Sequence, residues 1–542
     1  MKRLTIDGHA ICWAILSAAL LALNGCTQRV ESAPTTGSDE VSKPSAAAPS
    51  NVAAPSKAVP GSAASNTAPA TETKDPPHSE IQLFNGWPKP KAALFVTGDQ
   101  HGYIEPCGCS GLSNQKGGLT RRHSAVQSLL RQGWTVVPID VGNQVRRFGR
   151  QSEIKFQITI EGLKKIGYKA IGFGPEDLRL SALELVAIAA PAEKQSTPFV
   201  SANVTLLDPA LLPPYQIIDA GGVKICVTSV LGNDSREGIT ASEIQIRSPE
   251  EALRDLVPKL EAQRCDVYVL LSHASIGESR KLAQQFPLFQ LVVTAGCMGD
   301  PTYEPEPIPD SKTMFIQVGI KGMFAGVVGV FDDPKSPLRY QRVPLDSRFE
   351  DSREMLELLG SYQQQLQAVG LEGLGIQPIP YPTGRKFIGS EACKECHGYE
   401  DEVWAKSKHS HALDSLVNPG ERSEVPRHFD PECLSCHVVG WNAQQHFPYV
   451  SGYLSLDGSP KLHHVGCESC HGPAAEHVAA EHGNVKLDAA RVDALRAAVR
   501  LTLDDAEKKC MECHDLDNSP EFHKDGAFKK FWTEVEHSKK KP

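Results

Sequence analysis

Four short motifs near the carboxyl end hold two thiols and an imidazole at one fixed spacing. They are Cys393, Cys396 and His397; Cys433, Cys436 and His437; Cys467, Cys470 and His471; and Cys510, Cys513 and His514. C-x-x-C-H is the attachment pattern for c-type haem: both thiols become thioethers to the porphyrin, and the adjacent histidine reaches the iron from one face. Paired Cys₄ zinc sites would use the cysteines but have no need of the histidine, which here follows four pairs out of four. The spacing therefore predicts four c-type haems, with His397, His437, His471 and His514 as proximal ligands. A second histidine closes the iron for electron transfer, whereas an open face permits ligand binding or catalysis. Of the chain's 19 histidines, 14 lie from His397 onward, so second ligands are abundant. His409 or His411, His477 and His537 are candidates, and His428, His446, His463, His464 and His523 compete for the fourth position.

A second constellation lies far upstream, in "FVTGDQHGYIEPCGCS", Phe95 to Ser110. Asp99 and His101 follow an apolar, strand-like run, where hard ligands of a divalent metal would sit. Cys107 and Cys109 follow within eight residues. Further along, "DVGN", "GFGPED", "SANV", "LSHAS" and "TAGCMG" close other apolar runs. These runs alternate with helically spaced segments such as "TRRHSAVQSLLRQG" and "SPEEALRDLVPKLEAQ", the latter opening with Ser248 and Glu251 in capping-box spacing. Continuous apolar strands between helices predict an α/β domain with covered sheet faces, whose site forms beyond the carboxyl ends of the strands. Cys226 and Cys265, in or beside such strands, read as buried packing residues.

In order, these strand ends and "GGLTRR" resemble the 5′-nucleotidase branch of the calcineurin-like metallophosphoesterases, with blocks D-x-H, G-G-L-x-R-R, D-x-G-D, G-N-H-E, S-A-N, L-S-H and G-H-x-H. The resemblance covers about 250 residues and implies a two-metal sandwich fold. It also exposes departures. Asp99, His101 and His273 match the family's ligands, but Asn143 replaces the bridging carboxylate. Pro175 and Glu176 replace the Asn and His of G-N-H-E. Ala295 to Met298 replace the block carrying two histidines. Two dications about 3.5–4 Å apart need a charged bridge, and an amide supplies none. Asp99, His101, Asn143, Glu176 and His273 are thus read as vestigial. Cys107, Cys109 and Cys297 could rebuild a single zinc or iron site. The competing reading is a vicinal disulfide or free surface thiols.

The carboxyl-terminal part carries a resemblance of its own. "IGSEACKECH", "W..S.H..A", "CLSCHVVGW", "VGCESCHGPAAEH" and "CMECHDLDNSPEF...FW..VEH" resemble the tetrahaem cytochrome c-554 family. That resemblance implies His477 and His537 as distal ligands, favours His409 over His411, and allows one haem without a distal protein ligand.

The remaining sequence frames these sites. The 542 residues carry a net charge of -9, which gives no sign of nucleic-acid binding. Lys2 and Arg3 precede an apolar run, Ile11 to Leu23, shorter than the ~20 residues a spanning helix needs. The run reads as a signal peptide ending in "LNGC", which resembles the bacterial lipobox with Cys26 as the lipidated residue. Thr27 in place of Asp favours the outer membrane. Between Val41 and Ala70, 21 of 30 residues are Ala, Pro or Ser, a composition that cannot offset its ordering entropy. The expected order is a signal peptide over 1–25, a tether over 26–78, an α/β metallophosphoesterase-like sandwich over 79–350, a helical linker over 351–384, and a mostly α, loop-rich multihaem cytochrome c domain over 385–542. The function expected is electron transfer between redox partner proteins on the periplasmic face of the outer membrane, beside a phosphoesterase-like domain that has lost hydrolysis. A hydrolase with an altered metal site, and a haem oxidoreductase acting on a small substrate, are the alternatives.

Overall fold

The computed structural model describes residues 82–106, 115–189 and 197–537. Cys26, Cys107, Cys109 and the segments read as signal peptide and tether lie outside the described residues.

The α/β part is a four-layer sandwich. One sheet has five strands in the order Leu338–Pro344, Phe324–Val330, Ala92–Thr97, Val136–Asp140 and Ala170–Ile171. The other has six: Glu306–Pro307, Met314–Gln317, Leu291–Thr294, Val267–His273, Val223–Leu231 and Gln216–Ala220. Strand Ala92–Thr97 shows why the apolar runs are continuous. Leu94 and Val96 pack between the sheets with Ile139, Val269, Leu271 and Val293. Ala93 and Phe95, on the opposite pleat, pack under the helices Leu119–Arg131 and Arg150–Ile166. Both faces are covered, so period-two alternation is lost. On the far side, Tyr268, Leu270 and Val292 meet Leu253 and Leu256 of helix Pro249–Gln263 and Leu282 of helix Ile276–Gln285.

Three readings change. Ser248 does N-cap its helix, but its hydroxyl donates to Glu250 at 2.8 Å and takes no backbone N–H. Cys226 and Cys265 are not separate packing residues: they form a disulfide across 39 residues of chain. Each looks like an apolar packing residue in its own segment, because helix Pro249–Gln263 separates the two along the chain and only the fold returns one to the other. Finally, helix Arg353–Gly373, in the segment read as a linker, does more than connect. Its Met355, Leu358, Leu359, Tyr362 and Leu366 are buried in the same core as Phe95 and Leu163.

After residue 384 the architecture is mostly short helices of 4 to 10 residues, such as Asp414–Val417 and Ala489–Ala498. One small apolar cluster unites Leu413, Leu416, Leu434, Val438, Trp441 and Tyr453. The C-x-x-C-H motifs lie on or at the ends of helical turns, including Pro431–His437, Cys467–His471 and Leu503–Met511.

The disulfide gives a direct check. A Cys226→Ser/Cys265→Ser double variant is expected to lose about 2–4 kcal/mol of stability, read by denaturant unfolding. Thiol titration of the unfolded wild-type holoprotein should find neither sulfur free.

Candidate functional site

The strand ends of the α/β domain deliver their residues to one buried pocket. Asp99 and His101 leave strand Ala92–Thr97, Asn143 and Glu176 leave Val136–Asp140 and Ala170–Ile171, and His273 closes its own strand. His101 Nε2 is 3.5 Å and His273 Nε2 4.0 Å from Asp99 Oδ1. Asn143 Nδ2 is 3.3 Å from His101 Nε2, and its Oδ1 accepts the Glu176 N–H at 3.1 Å. The amide at the bridge position is thus committed to neutral hydrogen bonds. Glu176 Oε2 and His273 Nδ1 are buried without hydrogen-bond partners. Burial drives the His273 pKa down, against the opposing pull of Asp99. Among the described residues no group of three or more His, Cys, Asp or Glu is arranged to hold a metal ion, and the donors do not fit a two-metal centre. Cys297 stands apart, its Sγ 3.4 Å from the Asp300 carbonyl oxygen and from the Gly299 nitrogen.

Backbone conformation marks this pocket. Asp99, His101 and Asn143 have φ of 46°, 54° and 68°, and Lys321, whose N–H donates to the Asp99 carbonyl at 2.7 Å, has 61°. Non-glycine residues rarely adopt this left-handed region and pay about 1–3 kcal/mol each to do so. Asp177 holds the strained turn together. Its buried carboxylate accepts the N–H groups of Asn143 and Gln144 at 2.7 Å and of Gly174 at 3.0 Å. Sequence reading passed over Asp177, because an acid after "GPE" looks like a loop residue until its backbone N–H donors are in view.

In the carboxyl-terminal domain the structure brings predicted ligands together. The rings of His514 and His409 lie 6.1 Å apart, and those of His471 and His537 5.8 Å. His437 Nδ1 lies 2.7 Å from the Ala412 carbonyl oxygen, His471 Nδ1 2.9 Å from that of Val499, and His514 Nδ1 3.1 Å from Ser519 Oγ. Anchoring Nδ1 fixes the tautomer and leaves Nε2 free to ligate. His411 is exposed and tilts toward His464, 6.3 Å away, so the half-buried His409, facing His514, is the better placed of that pair. His477 lies within electrostatic reach of His397. Among the described residues no histidine ring packs against His437. The thiols also gather: Cys393 meets Cys467, and Cys436 meets Cys513. Each motif offers two thiols and an imidazole, three of the imidazoles being anchored through Nδ1 and that of His397 exposed, a donor set that fits c-type haem.

The two domains meet through charge. Glu432, beside the second motif, pairs with the buried Lys155 at 2.8 Å and with Arg147 at 3.3 Å. Burial opposes ionisation of Glu432, but the two cations prevail and hold its carboxyl well below the usual range. Asp430 accepts from Gln151 at 2.8 Å and from Tyr362 at 3.1 Å. Glu105 pairs with Arg427, and Asp517, three residues beyond His514, pairs with Arg146 and Lys321.

Residues 392–472 match the sequence family described as Cytochrome c554 and c-prime, a span that takes in the first three C-x-x-C-H motifs. The cytochrome c-554 of Nitrosomonas europaea is 33% identical over 96 residues, covering 16% of this chain and 38% of that protein. An apyrase of Aedes albopictus is 19% identical over 332 residues, 56% of this chain and 58% of the relative. This chain therefore spans less than two thirds of either curated relative. Among solved structures, a 5′-nucleotidase precursor from Thermus thermophilus is similar with a TM-score of 0.45 and 19% identity, over 62% of this chain and 71% of that one. The carboxyl-terminal part is thus similar to cytochrome c554, and the preceding α/β part to 5′-nucleotidase-type phosphoesterases.

Two substitutions test the supports of these sites. Asp177→Ala strands buried N–H donors and should cost at least about 3 kcal/mol, read by denaturant unfolding. Lys155→Met leaves Glu432 facing Asp430 with less compensation, a change worth roughly 3–5 kcal/mol for a buried pair. Its expected readout is faster proteolysis at the domain junction with the Soret band unchanged.

Proposed function

We propose that this chain is an exported, membrane-tethered tetrahaem electron carrier whose α/β domain no longer hydrolyses phosphoesters. The observation that carries the reading is the pair of opposed imidazoles, His409 with His514 and His471 with His537. Each pairs a motif histidine with one from a distant segment. Cys393, Cys396, Cys433, Cys436, Cys467, Cys470, Cys510 and Cys513 hold the haems covalently, and His397, His437, His471 and His514 ligate from the proximal side. His409, His477 and His537 close the opposite faces at three of the four. Bound haem supplies a one-electron iron couple, and closing both faces with imidazole suits it to electron transfer. The protein's part is to fix the rings of His437, His471 and His514 through Nδ1 and to hold the motifs close enough for electrons to pass between them. Redox proteins are the partners.

Loss of hydrolysis follows from the bridge. Asn143 brings no negative charge and is engaged with His101 and Glu176, so a dication pair has nothing to hold it. The disulfide between Cys226 and Cys265 favours an oxidising compartment, which agrees with export, lipidation at Cys26 and a place on the periplasmic face of the outer membrane.

The test is mass and optical analysis of the mature protein made in a host competent for cytochrome maturation. Four haems per chain and a low-spin majority are expected. His537→Ala should convert one haem to high spin without changing the haem count. Phosphatase activity restored by added Mn²⁺ or Zn²⁺ would overturn the loss of hydrolysis. A mass equal to that of the polypeptide alone would overturn the electron-carrier reading.

A further inference from the structure

The helix that carries the second C-x-x-C-H motif, Pro431–His437, opens against the α/β domain. Its N-cap, Asp430, accepts the Glu432 N–H at 2.9 Å, which fixes Glu432 in the first turn with Cys433 directly after it. The α/β domain brings two cations to that turn. Lys155, on helix Arg150–Ile166, has a side chain only 7% exposed and meets the Glu432 carboxylate at 2.8 Å. Arg147 meets the same carboxylate at 3.3 Å and lies within electrostatic reach of Cys436. Glu432 and Asp430 act on Cys433, and Asp515, beside His514, acts on Cys436. Glu105, an acid of the α/β domain, also reaches Cys433, but Arg427 grips its carboxylate. Arg422 and Arg427 act on His437. Charges of both signs therefore surround the motif, and two of its cations belong to the α/β domain.

Reduction of a haem iron takes one electron from a redox partner, so a cation held nearby favours the ferrous state and an anion the ferric state. Burial strengthens both effects, because less water is present to screen them. We propose that the α/β domain is an electrostatic regulator of the second haem, in which Lys155 and Arg147 hold the reduction potential above the value that Glu432 and Asp430 would set without them. The inference rests on the electron-carrier reading, and it gives the α/β domain a task that needs no hydrolysis. Lys155 and Arg147 are positioning charges that meet the motif helix through Glu432. Lys155 is itself held in place. Its ammonium lies 5.7 Å from the centre of the Tyr362 ring, and its neighbours Ile154 and Phe156 are buried in the sandwich core. The sandwich thus sets the distance between these cations and the motif.

The experiment is spectroelectrochemical titration of the full-length holoprotein, with its haems counted by mass. Lys155→Met should lower one midpoint potential. The ferric-to-ferrous ratio of that haem at its wild-type midpoint should rise about tenfold, which is ~59 mV for a one-electron couple. Glu432→Gln should raise the same midpoint, and the double variant should fall between the two. Lys155→Arg keeps the charge and should keep the wild-type value. A loosened junction by itself would move both single variants in one direction. Shifts of like sign in Lys155→Met and Glu432→Gln, or no shift in Lys155→Met, therefore overturn the proposal. Arg147→Gln, at a side chain 43% exposed, guards against a Lys155 variant that does not fold. It should lower the same midpoint by a smaller step, and an unmoved midpoint there overturns the proposal as well. A wild-type mass without haem overturns the electron-carrier reading and this inference with it, whereas four haems with unmoved midpoints overturn the inference and leave that reading standing.

Discussion

Lys155 is an ammonium group buried where the two domains meet, and much of the molecule's arrangement follows from neutralising it. Its partner Glu432 stands one residue before Cys433, and Asp430 beside it is tied to Gln151 and Tyr362. The second haem motif is therefore fastened to helices Arg150–Ile166 and Arg353–Gly373 of the α/β domain. A charge buried at this depth tolerates only a narrow range of geometries, since moving its counter-ion away leaves it desolvated and unpaired. Ion pairs of this kind contribute little net stability but strongly specify position.

That specification matters because the carboxyl-terminal domain has little else to order it. Its apolar cluster is small and its helices are short. Polar stitches carry the remaining burden. Glu468, inside the third motif, accepts N–H groups from Ile388, Gly389 and Ala474, joining the start of the domain to its middle. The α/β sandwich, with three layers of apolar packing, is the larger core to which this domain is joined.

The strand ends of the sandwich converge, and Asp99, His101 and Asn143 occupy left-handed backbone positions there. Strain of this sort persists because surrounding hydrogen bonds over-determine it, and Asp177 supplies several of them. Beside this cluster Arg146 and Lys321 pair with Asp517 of the carboxyl-terminal domain.

The sequence alone carried the haem-attachment pattern and the fold class. C-x-x-C-H is a local pattern whose meaning needs no tertiary context, and apolar runs bounded by Gly-rich strand ends fix an α/β sandwich because burial on two faces writes itself into every residue of a strand. Which histidine faces a motif ring was only partly legible: His409 and His411 are two residues apart and chemically identical, and only the fold sets the His409 ring 6.1 Å from that of His514. The Cys226–Cys265 disulfide, the anchoring of His437, His471 and His514 through Nδ1, the role of Asp177 and the burial of one face of helix Arg353–Gly373 were decided in three dimensions. So were the charge pairs between domains. Each depends on which distant segments are desolvated together, and the free energy of a charge or a thiol is set by that neighbourhood and not by its place along the chain.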